Sequence, residues 1–184
     1  GFQDFDDFCS SMKVILMGYM GSGKTTVGKL LAENLQLPFL DLDTEIEHSV
    51  KMSIADIFET KGEIFFRKME NKILKELLNT FDSFVLATGG GTPCYADSLK
   101  AMRQADHATT IYLKTPISVL AERLYPERHQ RPLIVHIDSL EKLSEFIGIH
   151  VFERAHFYNQ AEIVLDCNTQ DPKEIAETIQ HRLL

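Results

Sequence analysis

Three cysteines in 184 residues, Cys9, Cys94 and Cys167, are too few and too scattered to staple a fold, and no C-x-x-C pair offers zinc a ligand set. They read as free thiols of a reducing cytosol, so the chain is expected to be cytoplasmic. Apolar runs long enough to span a bilayer are missing, which excludes membrane insertion. A surplus of cations is missing too: 19 Lys and Arg stand against 27 Asp and Glu, a net charge of −8. Nucleic-acid binding rests on a cationic face, so the charge argues against a general nucleic-acid binder, and any anionic ligand must be gripped by a few placed arginines. The seven histidines show no H-E-x-x-H or other metal-ligand spacing. No repeat, low-complexity tract or linker divides the chain, and its length suits one domain with a full core. Residues 1–11 carry acids where a secretion signal carries a basic region, and Met12 leads directly into an apolar run. Residues 1–11 are therefore read as an expression leader or disordered extension, and 12–184 as the domain.

What is present begins with Gly18-Tyr-Met-Gly21-Ser-Gly23-Lys24-Thr25, set between the apolar run Val14 to Met17 and a helical stretch after it. This is G-x-x-x-x-G-K-[ST] in the strand, loop, helix setting that a phosphate-binding loop requires. The glycines let backbone N–H groups curl around phosphates, and the following helix points its positive end at the same anion. Lys24 is expected to reach the outer phosphates and the Thr25 hydroxyl to ligate Mg²⁺.

Short β-rich runs at 14–17, 39–41, 84–87, 109–113 and 163–166 alternate with helical patterns near 24–35, 53–61, 64–79, 95–104, 116–124, 139–157 and 172–183. That alternation predicts an α/β fold with a parallel sheet covered on both faces. Ser53-x-x-Asp56 and Asp171-Pro172 read as helix starts. Ligands of such sheets bind beyond the carboxyl ends of the strands, so the segments leaving those ends carry the candidates. Asp41-Leu-Asp43 places two carboxylates two residues apart, and on a continuing strand both would face the γ-phosphate site. The same pair also suits turn and cap positions. Gly89-Gly90-Gly91 allows either a plain flexible turn or a tight one that exposes N–H groups to a ligand. Arg67 and Glu70 sit three apart on a helix, where the carboxylate can orient the guanidinium, and Phe65-Phe66 before them suggests that this stretch packs inward. Tyr125 to Pro132 is polar and bracketed by prolines, a solvated loop or a flap whose arginine excludes water and neutralises charge.

In order along the chain, Gly18-x-x-Gly-x-Gly-Lys-Thr-Thr26, Asp41-x-Asp43, Phe66-Arg67-x-x-Glu70, Gly89-Gly-Gly91, Arg131-Pro-Leu133 and Arg154-x-x-x-Tyr158 resemble the shikimate kinase family, from Met12 to the C-terminus. The resemblance implies a three-layer α/β/α fold with a five-stranded parallel sheet of the nucleoside monophosphate kinase type. A substrate-binding helical segment would cover about 42–70, and a lid about 123–135. It implies ATP-dependent phosphorylation of the 3-hydroxyl of shikimate by a monomer, with Mg²⁺ as cofactor. Carried over by motif, Gly21, Ser22, Gly23, Lys24, Thr25 and Thr26 hold the phosphates, Thr25 ligates Mg²⁺, and Asp41 does so through water. Asp43 holds the reacting hydroxyl, while Arg67, Arg154 and the turn Gly89, Gly90, Gly91 grip the acceptor. Arg131 closes over ATP, Arg123 stacks on the nucleotide, and Gln170 borders the adenine. Lys24, Asp43 and Arg131 would be the catalytic set. Gluconate kinase is the rival of similar build. A GTP-dependent switch is disfavoured, since no Asn-Lys-x-Asp reads guanine: Asn71-Lys72 is followed by Ile73-Leu74.

Overall fold

Every residue of the strand Lys13–Met17 (β1) is buried, which only a central strand flanked on both edges and covered on both faces can achieve. The computed structural model describes residues 11–168 and 171–184. The further strands are Phe39–Asp41 (β2), Phe84–Ala87 (β3), Ala108–Lys114 (β4) and Ile163–Asp166 (β5). All four pairings are parallel, in the order β2-β3-β1-β4-β5. Around the sheet lie helices Lys24–Leu35 (α1), Leu42–Val50 (α2), Ile54–Thr80 (α3), Ser98–Gln104 (α4), Ile117–Leu124 (α5), Leu140–Tyr158 (α6) and Pro172–Leu183 (α7). The chain therefore has the three-layer α/β/α architecture expected of it.

Side chains of a strand alternate between faces, and β1 divides its residues accordingly. Val14 and Leu16 join Val27, Leu31, Ile175 and Ile179 beneath α1 and α7. Ile15 and Met17 join Leu42, Ile46, Leu74, Leu86 and Tyr158 on the opposite face. A third cluster, Tyr19, Leu120, Leu124, Ile134, Ile137, Leu143 and Ile147, unites α5, α6 and the segment between them. That segment carries a 3₁₀ turn at Arg128–Gln130, and Ile134 and Ile137 tie its far end down.

The strands fall within one residue of expectation, and both helix starts form as read: Ser53 Oγ accepts from Asp56 N, and Asp171 from Lys173 N. Two differences are informative. The expected helices 53–61 and 64–79 follow one another as α3 with a break at Gly62 (φ 85°, ψ 170°), a conformation open to glycine. Helix α2 has no counterpart among the helices read from sequence. Its signals are the cap Asp41, first-turn acids Asp43 and Glu45, and the four-residue spacing of buried Leu42 and Ile46. Residues 95–97 are non-helical, and a 3₁₀ turn at Thr92–Cys94 precedes α4. Among the described residues no helix is long and apolar enough to cross a membrane.

Truncating a fully buried leucine removes its contacts and leaves a cavity, so Leu74→Ala should lower the unfolding free energy by about 3 kcal/mol. Phe152→Ala, at a side chain 83% exposed, should change it by less than about 0.5 kcal/mol. Urea denaturation measures both, and equal losses would contradict this placement of the core.

Candidate active site

Beyond β1 the chain turns through Gly21 (φ 81°) and Gly23 (φ 94°), left-handed positions that a side chain would strain. Gly23 occupies the N-cap of α1, and among the described residues no side chain caps that helix, so its first N–H groups are left for an anion. Buried Lys24 donates from Nζ to the carbonyl oxygens of Gly18 (2.6 Å) and Tyr19 (3.0 Å), which holds the ammonium across the loop. Burial pushes its pKa down to about 8; the Asp43 carboxylate pulls it back up, while Arg131 and Arg154 act with burial. Ser22 Oγ is buried with no hydrogen-bond partner among the described residues, a polar atom left for a ligand. Arg123 donates to Gly21 O at 3.0 Å, so it grips the loop backbone from α5. Thr26 stands in the first turn of α1.

The two aspartates converge on this loop, though by different geometry from the alternating strand positions expected. The strand ends at Asp41, whose Oδ1 accepts from Thr44 N (3.1 Å) and thereby starts α2, so Asp43 lies in a helical first turn. The cap and turn alternative thus describes Asp41. Its other oxygen, Oδ2, accepts from Thr25 Oγ1 at 3.2 Å. Asp43 approaches the glycine turn: its Oδ1 is 3.2 Å from where a Cβ on Gly89 would stand. Burial raises the Asp43 pKa to about 6, Asp41 and Glu70 add to the rise, and Lys24 opposes it. Among the described residues no group of three His, Cys, Asp or Glu could hold a metal unaided.

Thr88 fastens the start of the glycine turn to β1, donating from Oγ1 to Leu16 O at 2.7 Å. None of Gly89, Gly90 and Gly91 has the left-handed backbone that would mark a flexible tight turn. Their value is clearance. A Cβ on Gly91 would lie 2.7 Å from Arg67 Nη2, and one on Gly90 would lie 3.2 Å from Met20 N and 3.4 Å from Arg154 Nη1. Arg67 donates from Nη1 to Glu70 Oε1 (3.0 Å), and Thr92 Oγ1 donates to Glu70 Oε2 (2.9 Å) while accepting from Gly89 N (2.9 Å). Tyr95 covers the guanidinium at 3.9 Å from its ring centre. Tyr158 donates to Gly90 O at 2.6 Å, and burial raises its pKa against the pull of Arg154.

Asp43, Arg67, Arg154 and the glycine turn thus meet beside the phosphate loop. Arg131 pairs loosely with Glu127 (3.7 Å) on the segment above, near enough for its charge to act on Lys24. Gln170 lies outside the described residues. Thr92 and Tyr95 contact Glu70 and Arg67, Tyr19 and His150 pack behind Arg154, and none of the four was singled out from sequence. Thr92, directly after three glycines, carried a readable signal, whereas Tyr95 and His150 carried none.

Gly91→Ala should displace Arg67 and raise the KM of a carboxylated acceptor about tenfold, the loss of roughly one charge-assisted hydrogen bond. The nucleotide KM should hold within about twofold. Steady-state kinetics with both substrates varied check this, and an unchanged acceptor KM would contradict the role of clearance at Gly91.

A family model described as shikimate kinase matches residues 20–184. The shikimate kinase of Flavobacterium psychrophilum is 41% identical over 172 residues, which cover 94% of this chain and 98% of that protein. The crystal structure of shikimate kinase from Bacteroides thetaiotaomicron superposes with a TM-score of 0.86 at 33% identity, covering 95% of this chain and 99% of that one. Shikimate kinase from Acinetobacter baumannii, solved in complex with shikimate, gives 0.84 at 33% identity, with 97% and 96% covered.

Proposed function

We propose that this chain, which belongs to the shikimate kinase family, transfers the γ-phosphoryl group of ATP to the 3-hydroxyl of shikimate, giving 3-phosphoshikimate and ADP. The observation that carries the reading is the position of Asp43, between Lys24 of the phosphate loop and the Arg67–Glu70–Thr92 network. A phosphoryl donor and a carboxylated acceptor would meet at that carboxylate. The relatives' identity as shikimate kinases favours shikimate over gluconate.

In this reading Lys24 and the N–H groups of Gly21 to Thr26 hold the phosphates, with Ser22 Oγ supplying a further donor. Arg123 steadies the loop through Gly21 O and flanks the nucleotide. Arg67 and Arg154 hold the acceptor's carboxylate, and the Gly89 to Gly91 turn holds its hydroxyls. Asp43 accepts a hydrogen bond from the 3-hydroxyl; as that oxygen bonds to the γ-phosphorus the bond to the β–γ bridging oxygen breaks. The hydroxyl proton passes to Asp43, and ADP leaves. Phosphoryl transfer needs mainly alignment and neutralised charge, so Lys24, and Arg131 closing from the 123–135 segment, bear most of the load.

The Thr25 hydroxyl and Asp41 carboxylate, 3.2 Å apart, are hard oxygen donors that fit Mg²⁺, Thr25 as direct ligand and Asp41 through water. Bound there, Mg²⁺ would neutralise charge on the β- and γ-phosphates. Gln170 and its neighbours would border the adenine. The reading needs no residue from a second subunit, and the free thiols Cys94 and Cys167 support a cytoplasmic setting.

In a coupled ADP-release assay, shikimate should stimulate turnover and gluconate or nucleoside monophosphates should not; no response to shikimate overturns the assignment. Because the raised pKa leaves Asp43 protonated below about pH 6, kcat/KM for shikimate should be level between about pH 6 and pH 8 and decline beneath that window. Asp43→Asn should lower kcat about a hundredfold or more with the ATP KM little changed. Near-normal kcat in that variant would remove Asp43 from the chemistry.

A further inference from the structure

Tyr19 stands in the phosphate loop, where backbone is what an anion uses, yet its side chain is 2% exposed and packs with Leu120, Leu124, Ile134 and Ile147. Its carbonyl oxygen accepts from Lys24 Nζ at 3.0 Å. At the other end of the residue the hydroxyl meets His150 Nδ1 at 3.0 Å, with the two rings edge to face at 5.4 Å. Phe146 fixes the imidazole from a second side, 5.5 Å away. His150 and Arg154 lie four apart on α6 and so share a face. The Arg154 guanidinium lies 5.8 Å from the Tyr19 ring centre. One residue therefore touches the phosphate-side lysine through its backbone and the helix of an acceptor-side arginine through its side chain.

We propose that the Tyr19–His150 pair is a positioning clamp that fixes α6 to the phosphate loop and so holds Arg154 in place for the acceptor's carboxylate. The proposal rests on the reading of Arg154 as a substrate-binding arginine. The groups are matched at neutral pH. Burial raises the Tyr19 phenol to about 12 against Arg154 and Arg131, so it stays a donor. Burial, Arg154 and Arg67 lower the His150 pKa while Glu153 opposes them, so the imidazole is neutral, and in its Nε2-protonated tautomer Nδ1 accepts from the phenol. Neither group has a place in the phosphoryl-transfer steps, so both act through Arg154.

Steady-state kinetics of Tyr19→Phe, His150→Ala, the double variant and His150→Gln test the clamp. Each of the first two should raise the shikimate KM about fivefold, the loss of one hydrogen bond, and leave kcat and the ATP KM within about twofold. The double variant should be no worse than either single one, since both remove the same interaction. His150→Gln, whose amide oxygen can accept from the phenol, should recover part of the loss. The clamp is overturned if the shikimate KM is unmoved, if the two KM values rise together, or if the single effects multiply. Arg154→Lys separates the premise: an unchanged shikimate KM there fails the reading of Arg154 and the clamp with it. A raised KM there beside an unmoved Tyr19→Phe sinks the clamp alone.

Discussion

A carboxylate with 1% of its surface exposed survives in a folded protein only if its lone pairs are matched, and Glu70 is the buried charge around which the acceptor side is arranged. One oxygen accepts from Arg67 Nη1 and the other from Thr92, whose hydroxyl in turn accepts from the Gly89 amide. The orientation of an arginine on α3 and the path of the turn after β3 are thereby two ends of one hydrogen-bond chain. Tyr95 lies over the guanidinium, with its ring centre 3.9 Å away.

Facing this chain across the sheet's carboxyl edge is a second arrangement in which charge is left incompletely matched. Among the described residues helix α1 begins without a side-chain cap, Ser22 Oγ has no hydrogen-bond partner, and the buried Lys24 donates to two carbonyl oxygens. Polar groups that are costly to bury unpaired sit side by side where phosphate would satisfy them together. The two halves therefore differ in kind. The acceptor side is organised by its own salt bridge, and the donor side by a buried ammonium held across the loop on backbone carbonyls.

Much of this was legible beforehand, and the misses share a cause. The strands announced themselves because a doubly covered parallel sheet demands short, continuous apolar runs, as in Val14 to Met17 and Phe84 to Ala87. Arg67 and Glu70 could be paired because i, i+3 spacing on a helix is a local relation. Asp41 and Asp43 were identified as a pair but given strand geometry, because the hydrogen bond that caps α2 changes the period from two to 3.6 at that residue. The glycine turn was located, yet the reason for Gly91 lies 24 residues away, in the Arg67 side chain that fills the space of a missing Cβ. Tyr95 and His150 were invisible for the same reason: their partners, Arg67 and Tyr19, are brought to them only by the tertiary fold.

The depressed pKa of Lys24, about 8, reaches beyond the placement of a phosphate. A triphosphate brings negative charge against that ammonium and restores its preference for the proton. Nucleotide binding and proton uptake then become a single linked equilibrium: in mildly alkaline solution each bound nucleotide draws a fraction of a proton from the solvent, and the apparent affinity for ATP carries a dependence on pH that belongs to the loop itself, whatever acceptor stands opposite.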